Sequence, residues 1–146
     1  MKLFLLILFF IFTVSANDAL QKEIKIHDII TQALFPFSKV ALYTNSQKLK
    51  TGVKSYSKHL TLTHENDAQY IILNKHLKLK NKKALLFVTD YSLLKDEKSA
   101  LGAFYWKKGR PTIIFIKERL EAHSIILPKS LTKYSENEKC LYELCF

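Results

Sequence analysis

Two runs in this chain carry no alternation of apolar and polar residues: Gln69 to Leu73 (QYIIL) and Ala84 to Thr89 (ALLFVT). A strand with one face in water alternates, so strands of this kind must be covered on both faces. Strands buried on two sides belong to a largely parallel sheet with helices packed against it. That constraint selects a mixed α/β fold before any other feature is read.

The flanking segments supply the remaining elements. Apolar residues at Leu20, Ile24, Ile30 and Leu34, separated by charged ones, predict a helix over Leu20 to Phe35, ended by Pro36. Lys39 to Thr44 (KVALYT) reads as a strand closed by Asn45-Ser46. A lysine-rich stretch up to His59 predicts a surface helix, which Gly52 weakens, and Leu60 to Thr63 an edge strand. Leu101 to Trp106 and Thr112 to Ile116 flank Lys107-Lys108-Gly109-Arg110-Pro111, a β-hairpin with Gly109 in a left-handed position. Pro111 lacks an N–H and suits a strand start or an edge. Helices follow over Lys117 to His123 and from Pro128 to Tyr134. The expected architecture is a single-domain α/β fold: a mixed, largely parallel sheet flanked by helices, with a C-terminal β-hairpin followed by short helices.

Lys2, the apolar run Leu3 to Phe12 and then Thr13-Val14-Ser15-Ala16 have the order of a secretory signal cleaved after Ala16. The run is shorter than the roughly 20 residues that span a bilayer. The expected division is residues 1–16 as signal peptide, 17–135 as the α/β domain and 136–146 as a C-terminal tail, in a periplasmic protein. Both cysteines, Cys140 and Cys145, lie in that tail and should pair with each other in an oxidising compartment as a structural clip, the alternatives being a redox-sensing pair or an intermolecular bridge. Residues five apart on a continuous helix are too distant to bridge, so the tail is expected to be non-helical across them.

The formal charge of +10 comes from 21 Lys and 2 Arg against 13 acidic residues. Lysine spread along the chain, in an exported protein, argues against nucleic acid, whose recognition favours the arginine fork. It leaves a weak attraction to membrane surfaces. The five histidines show no metal-ligand spacing, and the chain has neither a phosphate loop nor a nucleophile elbow. No catalytic residue, metal or cofactor is expected.

Two candidate sites follow. Strand ends in open α/β sheets bind ligands, and Thr44-Asn45-Ser46, Asn74-Lys75 and Thr89-Asp90-Tyr91-Ser92 stand there. They suit a small polar solute, and Asn45 and Asp90 also suit helix caps. The second site is the hairpin, where Tyr105, Trp106, Lys107, Lys108 and Arg110 set aromatic anchors beside cations, the residue types of protein-binding hot spots. In a lysine-rich chain, Arg110 and Arg119 imply two-pronged contacts, one clamping a carboxylate inside the fold and the other serving a partner.

Leu101-Gly102-Ala103-Phe104, the Gly109-Arg110 turn, the strand to Ile116 and then Ile125-x-Leu127 with Leu131 form an order that resembles the exported YfiR-like proteins. The likeness covers mainly the last 50 or so residues of the mature chain. It departs at Ile116-Lys117, where that family places an asparagine, and in the cysteines. The resemblance implies a non-enzymatic periplasmic regulator that binds a membrane signalling protein such as a diguanylate cyclase. A distant similarity to one lobe of a periplasmic solute-binding protein implies the same sandwich with a small solute instead.

Overall fold

A computed structural model describes the backbone of residues 2–145 and the side chains of residues 16–145. The expected signal segment, residues 1–16, lies largely outside the described side chains; its backbone from Lys2 onward is the start of the first helix, α1 (Lys2–Leu34). The chain continues as β1 (Val40–Thr44), α2 (Gln47–Tyr56), β2 (Leu60–Leu62), β3 (Tyr70–Leu73), β4 (Leu85–Val88), α3 (Tyr91–Asp96), β5 (Ala100–Lys107) and β6 (Arg110–Ile116). After these come α4 (Lys117–Ala122), α5 (Lys129–Thr132) and β7 (Ser135–Glu136). Among the described residues no helix is long and apolar enough to cross a membrane.

The strands form one seven-stranded sheet in the order β2-β1-β3-β4-β5-β6-β7. The first five in that order run parallel, β6 turns back antiparallel to β5, and β7 pairs parallel to β6. All four residues of β3 are buried, as its unbroken apolar sequence requires. Tyr70 and Ile72 join Ile24 and Ile30 of α1, Leu49 and Val53 of α2, and Phe87, Phe104 and Phe115 on one face. Ile71 and Leu73 point to the other face, with Leu94 of α3, Val88, Ala103, Ile116 and Leu141. The mixed α/β domain foreseen from the two apolar runs is therefore the observed fold.

Two glycines are dictated by close approach. A Cβ on Gly52 would come within 2.9 Å of Leu20 and Ile24, so the residue that weakens helix propensity is what lets α1 lie against α2. A Cβ on Gly102 would stand 2.1 Å from the Ile114 carbonyl oxygen, where the β4–β5 register shifts by a bulge.

Several boundaries differ from expectation. The first helix starts at Lys2, well before Leu20, because the signal-like segment and the domain helix are continuous. Pro128 does not start a helix through Tyr134; it is the N-cap of a shorter α5. The boundary expected at residue 135 falls inside β7, and Leu141 beyond it is buried, so the sheet and the core extend into the tail. A 3-10 turn over Glu138–Leu141 ends before Cys145, and the disulfide Cys140–Cys145 closes with its Cα atoms 5.3 Å apart. The tail is non-helical across the pair, as expected. Helix α3 shows in the sequence only through its cap, Asp90, since six residues are too few to show a period. No helix joins β3 to β4: residues 74–84 cross the second face as an extended strap, with Leu77 and Leu79 packed against the sheet.

Candidate functional site

The strand-end residues are engaged in holding the fold. Thr44 is fully buried, and its hydroxyl accepts from the Ser46 N–H at 3.2 Å. Ser46 is the N-cap of α2, accepting from Leu49 N–H at 3.3 Å, and Asp90 caps α3 by accepting from Ser92 N–H at 2.7 Å. Asn45 ties two loops together: its amide donates to the Lys75 carbonyl at 3.2 Å, and its oxygen accepts from the Asn74 N–H at 3.0 Å. Thr89 is half-buried, its N–H donating to the Leu73 carbonyl at 3.0 Å. Capping and loop closure thus engage Thr44, Asn45, Ser46 and Asp90, four of the residues offered for a solute.

The hairpin is built by its turn. Lys108 and Gly109 both have positive φ, 50° and 73°, the signature of a two-residue type I′ turn closed by the Lys107 and Arg110 pair. That twist carries the ends of β5 and β6 clear of the layers on either side, so Trp106 to Pro111 are all exposed. Strand alternation then sends Tyr105 and Trp106 to opposite faces. Trp106, 37% exposed, stacks edge-on against Phe104 with ring centres 5.8 Å apart. Burial raises the Glu23 carboxyl on α1 above its ordinary range, opposed first by the Lys48 ammonium and then by the Trp106 side chain. The aromatic pair read together in the sequence is therefore divided. Trp106 packs partly on the α1 side, and Tyr105 serves the other face.

On that other face Tyr105 borders an open cleft of about 510 Å³ between the outer halves of β5 and β6 and the disulfide loop. Tyr91, Lys107, Thr112, Glu136, Glu143 and Leu144 are among its other walls. The Tyr91 and Tyr105 rings are tilted together at 5.8 Å, and the Tyr91 hydroxyl donates to the Cys140 carbonyl at 3.3 Å, fixing the tail as one wall. Burial, and after it the Glu136 carboxylate, pushes the Tyr91 phenol up; Tyr105 is raised by burial, then by Tyr91 and Glu136. Both remain neutral hydroxyl donors near neutral pH. Leu144, 87% exposed, stands on the cleft rim with no core to fill. Sequence reading gave Tyr105 and Lys107, set Tyr91 at a strand end rather than beside them, and missed Glu136 and Leu144, because only tertiary packing brings α3 and the tail to the hairpin.

Beside the cleft, β7 pairs only with Phe115 and Ile116 of β6. The outer edge of β6 from Arg110 to Ile114 has no strand partner among the described residues. Pro111, unable to donate to a ladder, lies on that edge.

Of the two arginines, Arg119 is the one that clamps a carboxylate inside the fold. Arg119 is only 6% exposed; its Nε and Nη2 hold a Glu138 carboxylate oxygen at 3.2 and 2.9 Å, and its Nη1 donates to the carbonyls of Leu94, Glu97 and Ala100 at 2.9 to 3.0 Å. It locks α3, the start of β5 and the tail together. Arg110 is exposed at the hairpin tip. Among the described residues no cluster of three or more His, Cys, Asp or Glu side chains could hold a metal ion. The chain matches no protein-family model, no curated protein and no solved structure.

Proposed function

We propose that this chain is an exported, non-enzymatic module that regulates or senses by binding a protein partner through the hairpin and the adjoining cleft. The supporting observation is the free outer half of β6, which presents an unpaired strand edge beside the tyrosine-lined cleft, with Lys107, Lys108 and Arg110 at its end. An extended segment of a partner laid along that edge gains main-chain hydrogen bonds from β6 and side-chain contacts from the cleft. Exposed Arg110 and half-exposed Trp106 supply the anchor types that dominate such surfaces. The signal-like N-terminus and the disulfide both suit export. The resemblance to YfiR-like regulators makes a membrane-bound diguanylate cyclase the first partner to try. The competing solute reading loses its proposed ligands to capping at Ser46 and Asp90 and to the Asn45 loop tie.

The test is affinity purification of the chain from membranes that contain such a cyclase. Wild type and Lys108→Ala should retain it, whereas Arg110→Ala and Tyr105→Ala should each weaken binding by roughly 2 kcal/mol, about thirtyfold, without shifting the melting curve. Retention of all four forms to the same degree, or a melting temperature lowered in step with lost binding, would remove the hairpin as the recognition surface.

A further inference from the structure

We propose that the strap joining β3 to β4 docks the protein onto an anionic phospholipid surface, a site separate from the hairpin and independent of it. Residues 74–84 carry five lysines, Lys75, Lys78, Lys80, Lys82 and Lys83, and no acidic residue. All five are exposed, while Leu77 and Leu79 between them turn in against the sheet. The ion pairs among the described residues are Lys22–Asp18, His76–Glu97 and Arg119–Glu138, so none of the strap's lysines is neutralised by one. Crowding unpaired positive charges costs stability in isolation, and that repulsion is relieved when the strap meets negative charge.

The strap is also held rigid. Asn45 fixes its start through Lys75 and Asn74, and His76 bonds Glu97 at the end of α3. At the far end the Glu65 carboxylate accepts from the Lys80 and Asn81 N–H groups. The Asn81 amide donates to the Glu65 and Ala68 carbonyls, and its oxygen accepts from the Lys83 and Ala84 N–H groups. Pinning at both ends means that little backbone entropy remains to be lost on docking.

The chemistry selects the occupant. The five lysines are separate exposed side chains distributed along the strap on both sides of the inward-turned Leu77 and Leu79, an arrangement that suits several phosphates better than one. A plane of headgroups meets all the charges at once. Nucleic acid is disfavoured because the strap carries no arginine for a fork and no aromatic ring for base stacking.

Vesicles of phosphatidylcholine alone, or with phosphatidylglycerol admixed, sedimented with the full chain, test the proposal; the neutral vesicles account for any binding by the apolar N-terminal segment. Binding should rise with phosphatidylglycerol and fall with salt. Lys78→Glu/Lys80→Glu/Lys82→Glu should lower the phosphatidylglycerol-dependent partition by at least about a hundredfold, near fivefold for each positive charge lost and more for the charge reversal. Lys25→Glu/Lys54→Glu/Lys58→Glu, exposed positions on the α1 and α2 side with the same net charge, should lower it by much less. Equal binding to both vesicles, equal losses in the two triple variants, release by inorganic phosphate beyond that by chloride of matched ionic strength, or displacement by an oligonucleotide at equal phosphate would each overturn it.

Discussion

The imidazole of His27 lies among Tyr70, Phe87 and Phe104, with Nδ1 at 3.1 Å from the Tyr70 hydroxyl and Nε2 buried without a partner. Burial lowers its pKa from 6.5 to about 3, so the folded ring is neutral while an unfolded chain takes up a proton below pH 6.5. Stability is therefore full above that pH and falls as the pH drops from 6.5 toward 3, by up to roughly 1.4 kcal/mol per unit. Glu23 acts in the opposite sense just above pH 4.5, because its raised carboxyl keeps a proton that the unfolded chain has lost. We expect denaturant midpoints to decline from pH 7 to 4. His27→Phe with Tyr70→Phe should flatten that decline, whereas His27→Phe alone also strands the tyrosine hydroxyl at a cost of about 1–3 kcal/mol. An undiminished slope in the double variant would assign the acid sensitivity elsewhere. In the sequence His27 and Thr31 broke the helical stripe; with them included, Leu20, Ile24, His27, Thr31 and Leu34 follow one face. Reading by hydrophobicity hid the two polar members of the buried stripe. The arginine contrast was legible because a fork has uses that lysine lacks, and Arg119 met that expectation.

At the level of elements, the β5–β6 hairpin depends on two backbone positions with opposite tolerances. Gly102→Ala would drive a methyl into the Ile114 carbonyl and should cost about 3 kcal/mol or more, read as a lowered denaturant midpoint at unchanged slope. Lys108 holds a left-handed conformation that asparagine adopts more readily, so Lys108→Asn should gain a few tenths to about 1 kcal/mol. A loss with Lys108→Asn would mean that the lysine side chain itself supports the turn. Gly109 and Pro111 made this hairpin legible, since each restricts the turn in a known way. The strap was not legible as a unit, because parallel neighbours normally imply a crossover helix and its lysines merged with a charge taken as spread along the chain. Its alternation of Leu77 and Leu79 with Lys78 and Lys80 was the available signal.

Across the whole molecule, the tail is secured at more than one point. Leu141 is buried, Tyr142 reaches the Lys95 carbonyl, and Glu138 is held by Arg119, so the disulfide is one tie among several. Cys140→Ser should cost at most about 2 kcal/mol, the chain-entropy value for so short a loop, with the domain still folding cooperatively. Loss of a cooperative unfolding transition would show that the bond organises more than the tail. That the domain would have a two-sided sheet could be read from Gln69 to Leu73 and Ala84 to Thr89; that the tail would enter it could not, because β7 is two residues long and gains its meaning from β6. Helix α1 leaves the ribosome before any of the sheet exists, yet its His27 waits for Tyr70, 43 residues later, and its apolar side waits for Phe87 and Phe104. An N-terminal fragment has only α2 to pack α1 against, without the aromatic face that covers it in the finished domain. That face is complete only once β5 and β6 have been made, an order that suits a polypeptide threaded unfolded through a narrow channel.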